Sequence, residues 1–95
     1  MAKGYWIANI TVTDQTKYAE YVERDTPIIE GLGGKFIVRG GVSEITEGKA
    51  HNRQVVVEFE SFEAAKRAYE SDQYQKVAQI RYASAESTFI LVEGC

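Results

Sequence analysis

Gly33-Gly34-Lys35-Phe36-Ile37-Val38-Arg39-Gly40-Gly41 is the stretch whose reading decides the fold. A glycine pair ends a helical pattern by supplying the left-handed conformation that closes helices. A short β-branched and aromatic run follows as a strand. A second glycine pair then interrupts that strand just past an arginine, which predicts a bulge or a close approach of another backbone or ligand.

Upstream, Tyr5 to Val12 alternates as a first strand, with Trp6, Ala8, Ile10 and Val12 on one face and Tyr5, Ile7, Asn9 and Thr11 on the other. Asp14 stands at a helix N-cap position, and Tyr18, Tyr21, Val22, Asp25, Ile29 and Leu32 follow at helical spacing. Asp25 is the one member of that stripe that is not apolar. Pro27 lies inside it and predicts a kink near Thr26, or a division into two pieces.

Downstream, the second strand is expected to resume over Val42 to Thr46 and to turn through Glu47 to Asn52. Gln54 to Phe59 is a third strand, joined to the second as a hairpin. Ser61 caps a second helix with Phe62, Ala65 and Tyr69 on one face. Ser71-Asp72 opens another helical piece over Gln73 to Ala83, on which Tyr74, Val77, Ala78 and Arg81 share a side. Thr88 to Val92 is the last strand.

The order β-α-β-β-α-β is that of the ferredoxin-like α+β fold, in one domain spanning residues 1–95. A right-handed crossover predicts sheet order 4-1-3-2 with both helices on one face, the first and third strands being parallel neighbours. The second face of such a sheet carries Ile7, Ile37 and Val56, too much apolar surface to leave wet. A second copy of the same sheet is the simplest cover, which predicts a homodimer with facing sheets.

Composition narrows the function classes. The 95 residues hold 11 Lys and Arg against 14 Asp and Glu, for a net charge of −3 and no basic run. Nucleic acid and anionic membranes, which need clustered cations, are therefore not expected partners. The single cysteine, Cys95, excludes an intrachain disulfide, and the single histidine, His51, excludes a two-histidine metal site within one protomer. No phosphate loop or nucleophile elbow is present, so neither cofactor nor metal is expected. Without an apolar leader or spanning run, the expected location is the cytoplasm.

Gly4-Tyr5-Trp6-Ile7-Ala8, Val12-Thr13-Asp14, the glycine-flanked stretch and Val55-Val56-Val57-Glu58-Phe59-Glu60-Ser61-Phe62-Glu63-Ala64-Ala65 together resemble the small bacterial proteins grouped as domain of unknown function 1330. Ser71-Asp72-Gln73-Tyr74, Arg81 and Val92-Glu93-Gly94 fit the same pattern, while Gln15 departs from it where proline is common. The resemblance implies a ferredoxin-like protomer of the dimeric α/β-barrel superfamily and implies no established activity.

Candidate ligand-binding residues follow from strand faces. Simple alternation puts Phe36 and Val38 under the helices and Arg39, Glu58 and Asn9 on the opposite face, where they would form a polar patch between the two sheets. A guanidinium there suits a carboxylate or enolate. The plainer alternative is an Arg39–Glu58 ion pair that neutralises itself. Tyr74 and Arg81, two helical turns apart, either line a pocket mouth or serve packing and surface charge. His51 is a general-base candidate, or a solvated turn residue. Trp6 is expected to anchor the core, its indole N–H meeting a carbonyl.

Three functions fit these readings. The first is a homodimer that binds a small anionic or phenolic molecule in a cleft beside the sheet. The second is a cofactor-free monooxygenase or isomerase, on the analogy of the superfamily. The third is an accessory dimer without a ligand.

Overall fold

Caps and strand alternation set the elements of the computed structural model, which describes residues 2–95. They run β1 (Gly4–Val12), α1 (Gln15–Gly31), β2 (Lys35–Arg39), β3 (Arg53–Phe59), α2 (Phe62–Glu70), α3 (Asp72–Ser84) and β4 (Ala85–Glu93). The Asp14 carboxylate accepts from the Lys17 amide at 3.1 Å and starts α1. Gly33, at φ +94, ends it. The Gly33 amide then bonds the Glu30 carbonyl and the Gly34 amide reaches the Ile29 carbonyl, a paired closure that needs the left-handed residue between them. Gly34 is needed for space as well, since a Cβ there would press on Ile29, Phe59 and Val57.

Pro27 does not divide α1, which is one helix throughout. Beside it, the Thr26 hydroxyl donates to the Val22 carbonyl at 2.6 Å. Ser71 ends α2 and begins α3 by donating to the Ala68 carbonyl and accepting from the Tyr74 amide. That double cap turns the chain so that Tyr74 enters the core.

The four strands form one sheet in the order β2-β3-β1-β4, the expected order read from the other edge. The parallel pairing expected for the first and third strands does not form: β1 pairs antiparallel with both β3 and β4. The crossover through α1 leaves β2 running with β1, and the hairpin reverses β3 between them, so β3 opposes both neighbours. Nor does a strand resume over Val42 to Thr46, because residues 40–52 are irregular and β2 ends at Arg39.

The helices cover one face of the sheet. Trp6, Ala8, Ile10, Val57 and Phe59 meet Tyr18, Tyr21 and Ile29 of α1, Ala65 and Ala68 of α2, and Tyr74, Val77 and Ala78 of α3. Trp6 is the centre of this layer. Its indole N–H donates to the Ala65 carbonyl at 2.8 Å, as its lone donor requires. The other face carries Ile7, Val38, Val56, Ile90 and Val92, with Ile90 49% and Val92 42% exposed. No helix is long and apolar enough to cross a membrane among the described residues.

Candidate functional site

Helical spacing on α1 turns Tyr18, Tyr21, Val22, Asp25 and Ile29 toward the sheet, so the one carboxylate of that stripe is carried inside. Across from it, β2 carries Phe36 and Arg39, and β3 carries Arg53, Val55 and Val57. Between α1 and these strands lies a cavity of about 20 Å³, room for one water, whose floor is Trp6 and Phe89.

Arg39 reaches this cavity because β2 contains a bulge. Phe36 pairs with Val57, but the register then slips, so that Val38 faces Val56 and Arg39 faces Val55. Ile37 is the extra residue, and from there on every side chain changes face. Arg39 therefore lies on the helix-covered side, stacked 3.8 Å over the Phe36 ring. Its Nη2 donates to Thr26 Oγ1 at 2.7 Å and to Asp25 Oδ1 at 3.4 Å. The patch expected from Asn9, Arg39 and Glu58 does not exist, since the bulge takes Arg39 through the sheet and away from the other two. The Arg39–Glu58 ion pair goes with it.

Asn9 and Glu58 do share the open face, but Asn9 is opposite Gln54 and Glu58 opposite Tyr5, about 13 Å apart along the strand. Asn9 instead meets His51: its Oδ1 accepts from the His51 amide at 2.9 Å, and Thr11 Oγ1 lies 2.7 Å from His51 Nδ1. Thus the end of the irregular segment, Lys49 to His51, lies over the open face, and His51 is held there rather than free in a turn.

Tyr74 and Arg81 are both buried, so the reading that leaves Arg81 along the surface is corrected. The Tyr74 hydroxyl lies 2.6 Å from that of Tyr21. Arg81 is 2% exposed, and its Nη1 donates to Ser87 Oγ at 2.6 Å. Its Nε and Nη2 have no partner among the described residues. The guanidinium sits 4.9 Å from the Phe89 ring centroid and 5.0 Å from that of Tyr82. Arg53 completes the cationic wall. Its Nε donates to the Tyr18 hydroxyl at 3.2 Å, and its guanidinium rests where any Cβ on Gly40 (φ +70) would stand.

Of the sequence candidates, Arg39 enters this cavity from a face that alternation did not give it, and Tyr74 and Arg81 lie buried beside it. Asp25, Tyr21 and Arg53 also belong to this region and were not among the candidates. Asp25 had a signal: a carboxylate on an apolar stripe is buried or breaks the helix, and this one is buried. Arg53 had one too, since it shares the alternation of Val55, Val57 and Phe59, but the strand read from sequence began one residue later, at Gln54.

The electrostatics are set by burial. Burial pushes the Asp25 carboxyl up from its ordinary 3.8 to about 6, against the pull of Arg39. Burial likewise raises both the Tyr21 and the Tyr74 phenols, which stay neutral. Asp25 is therefore a proton acceptor poised near neutrality beside the Arg39 guanidinium, an arrangement that can hold an anion and take up a proton. Among the described residues, no three His, Cys, Asp or Glu side chains stand together as a metal site would need.

A raised carboxyl favours the folded state while protonated. Its contribution is complete below about pH 4 and is lost as pH rises through 6, a difference of about 3 kcal/mol. Asp25→Asn is accordingly expected to match the parent at pH 4 and to be about 2–3 kcal/mol more stable at pH 7.5 in urea unfolding. A difference between the two proteins that does not change with pH would show that Asp25 carries no such shift.

With this geometry in place the relatives can be compared. The chain belongs to the family described as Domain of unknown function (DUF1330), whose profile matches residues 3–95. Among curated proteins none matches it in sequence. In structure it is similar to a protein of unknown function from Rhodopseudomonas palustris, with TM-score 0.79 and 18% identity over 99% of this chain and 83% of that one. SnoaB, a cofactor-independent oxygenase from Streptomyces nogalater, gives 0.67 and 15% over 97% and 92%. A dabb family protein with a ferredoxin-like fold from Mesorhizobium loti gives 0.66 and 11% over 100% and 97%. At these identities the likeness is one of fold.

Proposed function

We propose that this member of the DUF1330 family is a homodimer whose protomers each bind a small aromatic anion, a carboxylate or phenolate, in the cleft between α1 and the sheet. The observation that carries the reading is the wall of that cleft. Arg39, paired with the single carboxylate Asp25, and Arg53, bonded to Tyr18, line it among the rings of Trp6, Phe36, Tyr18 and Phe89. Two cations against one anion in apolar surroundings favour a guest of negative charge, and the rings favour a flat one. A guest larger than water requires α1 to move outward. The side chains of α1, β2 and β3 that close the cavity would part with it. The apolar open face supports the dimer, with a second copy of the sheet as its cover.

Trp6 lies in the cavity wall and is the only tryptophan, so its fluorescence reports occupancy. Titration with benzoate or 4-hydroxybenzoate is expected to quench it to saturation. Neutral benzamide is expected to bind at least about tenfold more weakly, and Arg39→Ala to lose at least about tenfold, as deletion of one charge-assisted hydrogen bond would. No saturable change with any of these, or equal affinity for the amide, overturns the binding reading and favours an accessory dimer. Sedimentation as a monomer at tens of micromolar overturns the dimer.

A second reading is cofactor-free chemistry on the same guest, with Asp25 as the base that removes an acidic proton. Its carboxyl at about 6 suits that task, and the oxygenase SnoaB shares the fold. Asp25→Asn would then retain binding and lose turnover.

A further inference from the structure

Asp25 is almost wholly buried, with 5% of its side chain exposed, and among the described residues its one ionic partner is Arg39. That partnership is loose. The 3.4 Å contact is longer than a good charge-assisted bond, it uses a single nitrogen, and the same nitrogen makes a shorter bond to Thr26. The Arg39 side chain, 29% exposed, remains open to a second anion from the cleft.

We propose that anion binding in this cleft is coupled to proton uptake: the incoming anion takes Arg39 from Asp25, and Asp25 ends the exchange as the neutral acid. The inference rests on the anion-binding reading above and adds its regulation by pH. The exchange balances in atoms and charge. A carboxylate paired with a guanidinium, plus a free anion and one proton from solvent, gives a carboxylic acid beside a guanidinium–anion pair.

The physical reason is that two anions cannot share one guanidinium in an apolar cleft without one of them neutralising. Asp25 is the one that yields, because burial already disfavours its charge while the guest keeps the guanidinium. The groups facing Asp25 do not replace Arg39. Tyr21, on the same helix, stays neutral, as does Tyr74 on α3. The Arg81 charge on α3 is the smallest of the influences that hold Asp25 down. Arg53 on β3 shares the cavity wall and is committed to Tyr18.

The test is calorimetric titration of the intact protein with benzoate at pH 7 in phosphate and in Tris, buffers whose ionisation heats differ widely. Binding heats are expected to differ by an amount equivalent to about 0.5–1 proton taken up per benzoate, falling toward zero at pH 5, where Asp25 is already protonated. Asp25→Asn is expected to bind benzoate with no buffer dependence. Equal heats in the two buffers at pH 7, or uptake that persists in Asp25→Asn, overturn the coupling and leave anion binding standing. Should Asp25→Asn not fold, the contrast between pH 7 and pH 5 in the parent protein decides. No binding by benzoate in either buffer overturns anion binding itself, and the coupling with it.

Discussion

Trp6→Ala is expected to lose about 3–5 kcal/mol, most of the stability that a domain of this size possesses. Trp6 is 2% exposed and lies within 5.3 Å, centroid to centroid, of the Phe59, Tyr74 and Phe89 rings. Each pair adds attraction beyond the area it buries. Truncation would empty the centre of the helix–sheet layer, and the surrounding rings cannot collapse into the space without leaving favoured rotamers. It would also remove the indole hydrogen bond to the Ala65 carbonyl, worth about a further 1 kcal/mol. Trp6→Phe keeps much of the ring packing and should lose about half as much. Urea unfolding followed by circular dichroism measures both. A loss under about 1 kcal/mol for Trp6→Ala would mean the core is organised around something else.

Arg81→Met is expected to work in the opposite direction, stabilising the protein by about 1–3 kcal/mol. Arg81 is a cation buried to the same degree as Trp6, and among the described residues it has no carboxylate at salt-bridge distance and two nitrogens, Nε and Nη2, without a partner. Removing it from water carries a desolvation cost, and its bond to Ser87, its aromatic neighbours and the neutral Tyr74 and Tyr21 phenols bring no opposite charge to offset it. Methionine has a similar length, packs well on aromatic rings and carries no charge to desolvate. A thermal midpoint at least about 4 °C above that of the parent is the expected reading. Arg81→Ala, which exchanges the same charge for a void, should gain less or lose. If Arg81→Met falls by more than about 1 kcal/mol, the guanidinium is a net stabilising member of the core, acting through the Tyr21 and Tyr74 hydroxyls it faces.

These two residues also show how unevenly the sequence speaks. Trp6 was legible in full, since one large aromatic on an alternating strand is buried on the helix side, and its N–H must find an acceptor. Arg81 was legible only in its side of the helix. Sharing a face with Tyr74, Val77 and Ala78 implies that the residue points inward. Whether a long cation completes that turn or snorkels to water is decided by what covers it, here β4 through Ser87 and Phe89.

The same division runs through the whole molecule. Local chemistry determined the elements and their order: Asp14, Ser61 and Ser71 accept orphan amides, Gly33 adopts a positive φ, and the strands alternate. Those are short-range preferences that each stretch expresses alone, and together they admit one topology. The family resemblance pointed the same way, because its motifs are these caps and turns.

Tertiary structure decided the site. The bulge at Ile37 forms because β2 must pair with β3, and that single extra residue carries Arg39 from the open face to the cleft. His51 is fixed over the open face by Asn9 and Thr11, which are remote from it in sequence. Asp25 becomes a poised acid because α1 lies over an apolar sheet with one guanidinium in reach. Faces, registers and the surroundings of a charge are properties of pairs far apart along the chain, and no local preference encodes them.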